Sequence, residues 1–165
     1  MARTLIGPAD THQEMPIVNA IDLLEKDHRT VEKAFKSFEN AGTNAEKKEI
    51  AQHIIADLRV HATIEEEIFY PATRRKVDAE GKEMVAEGFE EHHVIKMLMG
   101  ELEQIGSVNE QFEAKMTVLQ ENVEHHVEEE ENELFPEAKK SLGKRLEELG
   151  EKMSQRKEAL MAGAR

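Results

Sequence analysis

Apolar residues recur every three to four positions along most of the 165-residue chain. This is the period of an amphipathic α-helix, and no segment shows the strict alternation of a β-strand. The pattern predicts five helices, over about residues 16–40, 44–71, 82–105, 108–136 and 141–161. Pro16 suits the first turn of the first helix, where a backbone N–H has no helical partner in any case.

Residues typical of helix ends accompany these segments. Thr43 with Glu46, and Ser107 with Glu110, have the spacing of a capping box, in which each side chain bonds the other residue's backbone N–H. Both pairs come directly before an apolar stripe. They therefore predict the starts of the second and fourth helices, and Gly106 is expected to end the third.

Two prolines are expected to end the second and fourth helices, because proline cannot continue a helix without a kink. They are Pro71 and Pro136, and a basic, polar linker is predicted after the first of them, over residues 72–81. Four long helices joined by short loops predict an all-α fold, an up-down-up-down four-helix bundle. An additional C-terminal helix is expected to pack across its outside or at one end.

The same boundaries divide the chain into three parts. Residues 1–15 are polar and without a period, and they are interpreted as an extended N-terminal arm. Residues 16–137 form the predicted bundle, and residues 138–165 form the predicted C-terminal amphipathic helix.

Polar residues interrupt the apolar stripe of each long helix at positions that face inward. In the first helix His28 lies in phase between Leu24 and Val31, and such phase places a side chain in the core. Applied to all four helices, this reasoning predicts four histidines and two glutamates in one interior: His28, His61, Glu65, His92, His126 and Glu130.

These six residues also form an internal repeat. The interval from His61 to His126 equals that from Glu65 to Glu130, and the interval from His28 to His92 is shorter by a single position. In both halves a proline follows the His-x-x-x-Glu pair at the same distance, as Pro71 and Pro136. Two halves related by a pseudo-two-fold axis would bring two equal sets of side chains together, and this symmetry suits two metal ions side by side.

The chemistry of these side chains points to a cation. Ionised glutamates in an apolar core cost several kcal/mol without partners, and a bound cation removes that cost. Imidazole and carboxylate ligands without sulfur select iron, manganese or zinc among the common metals. The chain contains no cysteine, which excludes disulfides, thiolate catalysis, iron–sulfur clusters and cysteine-ligated zinc.

Some neighbouring residues are alternative candidates for the inward positions. A single histidine on an apolar face is usually an ordinary core residue, but six residues in phase and repeated are hard to obtain by accident. His125 with Glu129 has the same spacing as His126 with Glu130 but breaks the stripe and the repeat, and His93 adjoins His92. Five further glutamates are predicted to form a solvated acidic face: Glu66, Glu67, Glu128, Glu129 and Glu131. Two histidines are expected on the surface: His12 and His53.

The composition narrows the class of partner. The net charge of −13 argues against nucleic acid, because binding to phosphates depends on lysine and arginine. No segment has the apolar length of a transmembrane helix or the apolar run of a signal peptide, so we expect a cytoplasmic protein without a membrane partner.

The combined motifs resemble the hemerythrin-like, or HHE cation-binding, domain over about residues 17–137. Those motifs are Asp27-His28, His61-x-x-x-Glu65-Glu66 before Tyr70-Pro71, Glu91-His92-His93, and His126-x-x-x-Glu130-Glu131 before Phe135-Pro136. The resemblance implies a four-helix bundle that binds two iron ions bridged by an oxygen atom or by carboxylates, with Glu65 and Glu130 as bridges. It implies the six inward residues as ligands. Zinc or manganese would fit the same ligands, and His93, His125, Glu66, Tyr70 and Glu131 stay open as further ligands.

The chain departs from the oxygen-carrying members at two positions. Lys96 stands where they carry a second histidine one turn after the histidine of the third helix, and Glu130 follows His126 at four residues instead of an aspartate at five. Fewer protein ligands leave open positions on the metal, which favours reaction with peroxide, dioxygen or nitric oxide. Such reactions would give the protein a role in oxidative stress. The alternative is a module that binds or senses iron or oxygen without turnover and is read by a protein partner of unknown identity.

Overall fold

The structure is a computed structural model that describes residues 18–163. The α-helical segments within this range are α1 (Ala20–Asn40), α2 (Asn44–Ile64), α3 (Tyr70–Arg74), α4 (Ala79–Ile105), α5 (Glu110–Glu129), α6 (Phe135–Leu142) and α7 (Arg145–Gly163). Two π-helical turns, Glu65–Phe69 and Glu130–Leu134, join α2 to α3 and α5 to α6 without a break. The predicted arm, Pro16 and His12 lie outside the described residues.

Side-chain caps set the starts of four long helices, and Asp78 supplies that of α4 by accepting from the Gly81 N–H. The Asn19 side chain accepts hydrogen bonds from the N–H groups of the first turn of α1. The capping box of Thr43 and Glu46 is confirmed at the start of α2. The second predicted capping box is wrong, because Asn109 caps α5 instead. Ser107 directly follows the left-handed Gly106 and still belongs to the turn that closes α4.

The prediction that the prolines end their helices is also wrong. Each proline is the second residue after a π turn and lies in the first turn of the next α-helical segment, where its missing N–H is tolerated. The helix therefore continues past Pro71 to Arg74 and past Pro136 to Leu142. The expected linker shrinks to residues 75–78, and the last helix begins at Arg145, after the left-handed Gly143.

Four helical rods form the bundle, as predicted: α1, α2 with α3, α4, and α5 with α6. The additional helix α7 packs against α1 and α2 and against the π turn that follows α2. Its crossing with the start of α1 is close, because a Cβ atom at Gly150 would collide with the backbone carbonyl of Val18. The side chains that α7 buries are Leu146, Leu149 and Met153.

Two apolar cores fill the molecule, one on each side of a polar layer. The first includes Ile21, Leu24, Phe69, Phe135 and the buried face of α7. The second lies nearer the α1–α2 and α4–α5 turns and includes Phe35, Ile54, Met99, Phe112 and Leu119. The layer between them is polar and buried, so it requires an explanation in terms of partners or ligands. Within residues 18–163, no helix is both long and apolar enough to cross a membrane.

Candidate metal centre

The buried polar layer contains all six residues predicted from the sequence. Each of them is at most 6% exposed, and Glu65 is completely buried. The Nε2 atoms of His28 and His61 lie 3.2 Å apart, and those of His92 and His126 lie 3.0 Å apart. The first pair comes from α1 and α2 and the second from α4 and α5, so each half of the repeat contributes one pair.

The two glutamates lie between these pairs. Glu65 places one carboxylate oxygen 3.2 Å from His61 Nε2 and the other 3.1 Å from His92 Nε2. Glu130 Oε2 lies 3.3 Å from His28 Nε2 and 3.5 Å from His126 Nε2. Each carboxylate therefore touches a histidine of its own half and a histidine of the other half.

Each of these glutamates is the first residue of a π turn. π turns are rare and are frequently found at functional sites, where they re-aim side chains within a continuous helix. Here the turn lies one helical turn after the histidine of the same rod and directly before the apolar residues that close the first core. The two widened turns thus mark the layer of the bundle in which the carboxylates meet.

The outward nitrogen of every imidazole faces a second carboxylate. The Nδ1-to-oxygen contacts are His28 to Glu131 at 2.8 Å, His61 to Asp27 at 3.5 Å, His92 to Glu66 at 2.9 Å and His126 to Glu91 at 2.6 Å. A carboxylate that accepts the Nδ1 proton leaves the Nε2 lone pair free and directed inward. All four histidines are thus oriented as metal ligands usually are.

This outer ring corrects the prediction of a simple acidic face. Glu66 and Glu131 are partly buried and hold ring nitrogens, although Glu128 is exposed as expected. The parts played by Asp27 and Glu91 were missed. The internal repeat of the sequence contains the signal that would have predicted all four outer carboxylates. Asp27 and Glu91 directly precede equivalent histidines, and Glu66 and Glu131 directly follow equivalent glutamates.

The structure also separates the inward residues from their neighbours. His93 and His53 are exposed, and His125 is 63% exposed. His125 lies beside Glu129 and Glu91 at the surface, at 3.1 and 3.6 Å. Lys96 does not reach the centre, because its ammonium donates to both oxygens of Glu66 at 2.6 and 2.7 Å.

Three buried oxygens show that the residues fit a cation. Both carboxylate oxygens of Glu65 and Oε2 of Glu130 have no hydrogen-bond donor among the described residues. They converge with four Nε2 lone pairs, and such a cluster repels itself unless protons or metal ions lie between its members. The side chains form two overlapping groups that share Glu65: His28, His61, Glu65 and Glu130 in one, and Glu65, His92 and His126 in the other.

Protons are the alternative occupants. Burial opposes the charging of His61, but Glu65 and the Asp27 hydrogen bond outweigh it and raise its pKa to about 10. Burial likewise opposes the charging of His92, and the neighbouring carboxylates of Glu65 and Glu66 raise that pKa to about 9. Against the cost of burial, the same histidines lower the pKa of Glu65. Without metal, the centre therefore binds protons tightly.

A tyrosine completes the centre on the side of the first core. The buried Tyr70 hydroxyl donates to Glu130 Oε1 at 2.7 Å and lies 3.4 Å from His92 Nε2. Burial and the charge of Glu130 raise its pKa well above the usual value. Gly88 leaves room for this hydroxyl, because a Cβ atom there would lie 2.8 Å from the phenolic oxygen.

Comparison with known proteins identifies the class. Residues 19–138 match the family described as Hemerythrin HHE cation binding domain, and the chain belongs to this family. An uncharacterised hemerythrin-like protein of Schizosaccharomyces pombe is 25% identical over 121 residues, which are 73% of this chain and 60% of that protein.

A crystal structure of a hemerythrin HHE cation-binding domain-containing protein from Mycobacterium kansasii shares the fold. The TM-score is 0.76 at 24% identity, over 89% of this chain and 90% of that one. A protein named DNA nickase, from a Nostoc species, is 27% identical over 125 residues, which are 76% of this chain but 35% of the nickase. The chain thus spans less than two thirds of the length of either curated relative.

Proposed function

We propose that the protein is a non-haem di-iron protein that reacts with peroxide, dioxygen or nitric oxide at a carboxylate-bridged centre. The observation that carries the proposal is the set of three buried carboxylate oxygens without donors, facing four inward Nε2 atoms. Membership of a cation-binding family supports it independently.

The two overlapping groups suggest which residues hold each ion. His28, His61, Glu65 and Glu130 would hold one ion, and Glu65, His92 and His126 the other, with Glu65 shared. Nitrogen and oxygen ligands without sulfur suit iron, although zinc and manganese accept the same set. Bound iron would supply redox chemistry and coordination positions open to small molecules.

The surroundings suit a small reactant. The second group has fewer ligands than the first, since Lys96 is held at Glu66 and supplies no nitrogen. A cavity of about 20 Å³ lies against the four histidines, with walls that include Val31, Leu58, Ile95 and Val123. Such a volume holds one water-sized molecule. Tyr70 belongs to the first core and directs its proton at Glu130 Oε1, whereas the apolar walls of this cavity belong to the second core.

The test is elemental analysis and peroxide turnover on the same preparation. We expect about two iron ions per chain after anaerobic reconstitution and oxygen evolution from hydrogen peroxide. Glu65→Gln should lose iron and turnover together, whereas the control Glu129→Gln, at a half-exposed position outside the centre, should keep both. Substoichiometric iron, or zinc that outcompetes iron in cells, would contradict the proposal.

The second candidate is an iron- or oxygen-binding or sensing module without turnover. The observation that favours it is the tie between the centre and α7: Lys157 pairs with Asp27, whose carboxylate faces His61. A change in ligand binding at the centre would thus be transmitted to α7 through Asp27 and Lys157. A stable, reversible oxygenated spectrum of the reduced protein, with no peroxide turnover, would favour this candidate over the enzyme.

Partners and compartment stay predictions. The expectation of small-molecule partners without nucleic acid or membrane rests on the net charge of −13 and on the ligand set. The likeness to the nickase covers only about a third of that protein, so it carries no DNA-cleaving activity to this chain. The cytoplasmic location rests on the sequence alone.

A further inference from the structure

The small cavity beside the four histidines is bounded by a larger groove. The groove has a volume of about 530 Å³ and lies between α1, α2 and α7. Its walls include Thr30 from α1, Val60 from α2 and Ser154 from α7. Two residues, Asp27 and Val31, line the groove and the cavity alike, and they stand one turn apart on α1. The two spaces therefore adjoin at the side chains of one face of α1.

The inner end of the groove combines one charged pair with one apolar side chain. Asp27 is 12% exposed, and its two oxygens face different partners: Oδ1 accepts from the Lys157 ammonium and Oδ2 faces His61 Nδ1 at 3.5 Å. Val31 is 5% exposed and fills the space beside it. The pair neutralises the charge at the inner end, and the charged side chains farther out, Lys26, Asp57 and Glu158, include both signs.

The opposite side of the centre has different chemistry. A space of about 20 Å³ reaches Glu130 there, and its walls carry Glu87, Glu91, Glu129 and Glu133. Apart from Met84, Gly88 and Leu134, the walls of this space are carboxylates, which favour cations over a neutral, weakly polar molecule. Of these two spaces, the α1–α2–α7 groove is the one suited to an uncharged reactant.

We propose that this groove is the access route by which a small uncharged molecule, of the size of hydrogen peroxide or a diatomic gas, reaches the metal centre. Asp27 and Val31 form its inner end, and Lys157 of α7 holds Asp27 in place. The inference rests on the proposed function, and it gives α7, which lies outside the family match, a part in ligand access.

The experiment narrows the groove without touching the centre. Ser154→Phe fills it from α7, and Thr30→Phe fills it independently from α1. The matched control is Ala56→Phe, an exposed position in a separate groove of about 370 Å³ that shares no residue with the cavity. Nitric oxide is the probe, and its association and dissociation rate constants with the iron-loaded protein are measured by stopped flow. Iron content and equilibrium affinity are measured in parallel.

Both groove variants should slow association and dissociation several-fold and by the same factor, with iron content and affinity unchanged, and Ala56→Phe should match the unmodified protein. Rates unchanged in both groove variants, in folded protein with full iron content, would overturn the access route alone. A change in affinity without a change in association rate would overturn it also. Absence of iron or of nitric oxide binding in the unmodified protein would instead overturn the proposed function, and the route with it.

Discussion

The two halves of the bundle carry the same centre in different surroundings. The inward ligands and the four outer carboxylates repeat at a nearly constant interval along the chain, and each carboxylate in one half has an equivalent contact in the other. A basic residue also supports one carboxylate of each half, since Arg29 pairs with Glu131 and Lys96 pairs with Glu66, although the two bases stand at different positions of the repeat. Every imidazole of both halves thus has an outward carboxylate.

The aromatic layer beneath the centre breaks this symmetry. Phe135 stacks on His28 with ring centroids 5.7 Å apart, and Tyr70, its counterpart in the repeat, stacks on His92 at 5.4 Å. Only Tyr70 carries a hydroxyl, and Gly88 makes room for it where the other half has Leu24. The proton donor to the centre is therefore supplied from one half alone.

The outer surface breaks the symmetry a second time. Asp27 is neutralised by Lys157 from α7, whereas its counterpart Glu91 lies beside His125 and Glu129 at an acidic surface. The comparison shows that the two halves share the inward side chains and their outward carboxylates and differ in the residues around them. We therefore expect two inequivalent metal positions within one symmetric set of ligands.

The largest expected effect concerns the two inward glutamates. Each carboxylate lies within 3.5 Å of an Nε2 atom from either half, so Glu65→Ala and Glu130→Ala should each lower the bound metal well below that of the unmodified protein. Glu129→Ala and Glu131→Ala should damage metal binding less than either. Elemental analysis of the purified variants measures the result. Metal loss in Glu129→Ala with none in Glu130→Ala would show that the two inward residues of α5 are assigned one position out of register.

In the metal-free protein, protons bound by His61 and His92 should stabilise the fold, and this contribution should depend on pH. The pKa values of His61 and His92 are raised to about 10 and 9, so the folded metal-free protein binds these protons more tightly than the unfolded chain. Their stabilisation is complete below the unfolded value of 6.5 and is lost as the pH rises through 9 and 10. Chelator-treated protein should therefore melt at progressively lower temperature as the pH rises from about 6.5 to 10.

The matching measurement follows the two rings by nuclear magnetic resonance, where the pKa values of His61 and His92 should both lie well above 6.5. In the same metal-free protein, metal binding at pH 7 should release protons, which calorimetry in buffers of different ionisation enthalpy detects. A melting temperature that is independent of pH between 6.5 and 10 would contradict the prediction.

The outer carboxylates should matter moderately and about equally in the two halves. Asp27→Asn and Glu91→Gln each weaken the orientation of one imidazole, of His61 and His126 respectively, and should lower metal affinity about 10- to 100-fold. Competition with a chelator of known affinity measures the loss. The control is Glu128→Gln, an exposed position on the same helix as His126. An equal loss of metal affinity in that variant would contradict a specific role of the outer carboxylates in orienting the imidazoles.

The smallest expected effect concerns the hydroxyl that only one half carries. Gly88→Ala places a methyl group against the Tyr70 hydroxyl and should destabilise the protein by roughly 1–3 kcal/mol. Tyr70→Phe in the same chain removes the colliding oxygen and should recover part of that loss. Urea denaturation of the two single variants and the double variant gives the coupling free energy, and additive effects would contradict the contact.

The sequence predicted the bundle and the inward positions because both depend on the helical period. His126 and Glu130 were distinguished from His125 and Glu129 by phase alone, and the structure places the first pair in the interior and the second at the surface. The repeat added independent support, because it relates residues in different helices.

Other features depend on contacts that the period does not contain. Pro71 and Pro136 each follow a π turn within a continuing helix. In a sequence, however, a proline equally indicates the end of a helix, and only the structure shows that the backbone continues. Lys157 reaches Asp27 only because α7 crosses α1, and no local pattern predicts such a crossing. The resemblance to the family was sufficient for the fold, and insufficient for these contacts.

The central claim is that two metal ions share one buried centre. Diffraction from crystals of the iron-loaded protein, recorded at the iron absorption edge, tests it most directly. The account predicts two anomalous peaks, one within bonding distance of the Nε2 atoms of His28 and His61, the other of those of His92 and His126, with Glu65 in contact with both. A single peak, or a peak at the surface group of Glu91, His125 and Glu129 with none in the interior, would contradict it.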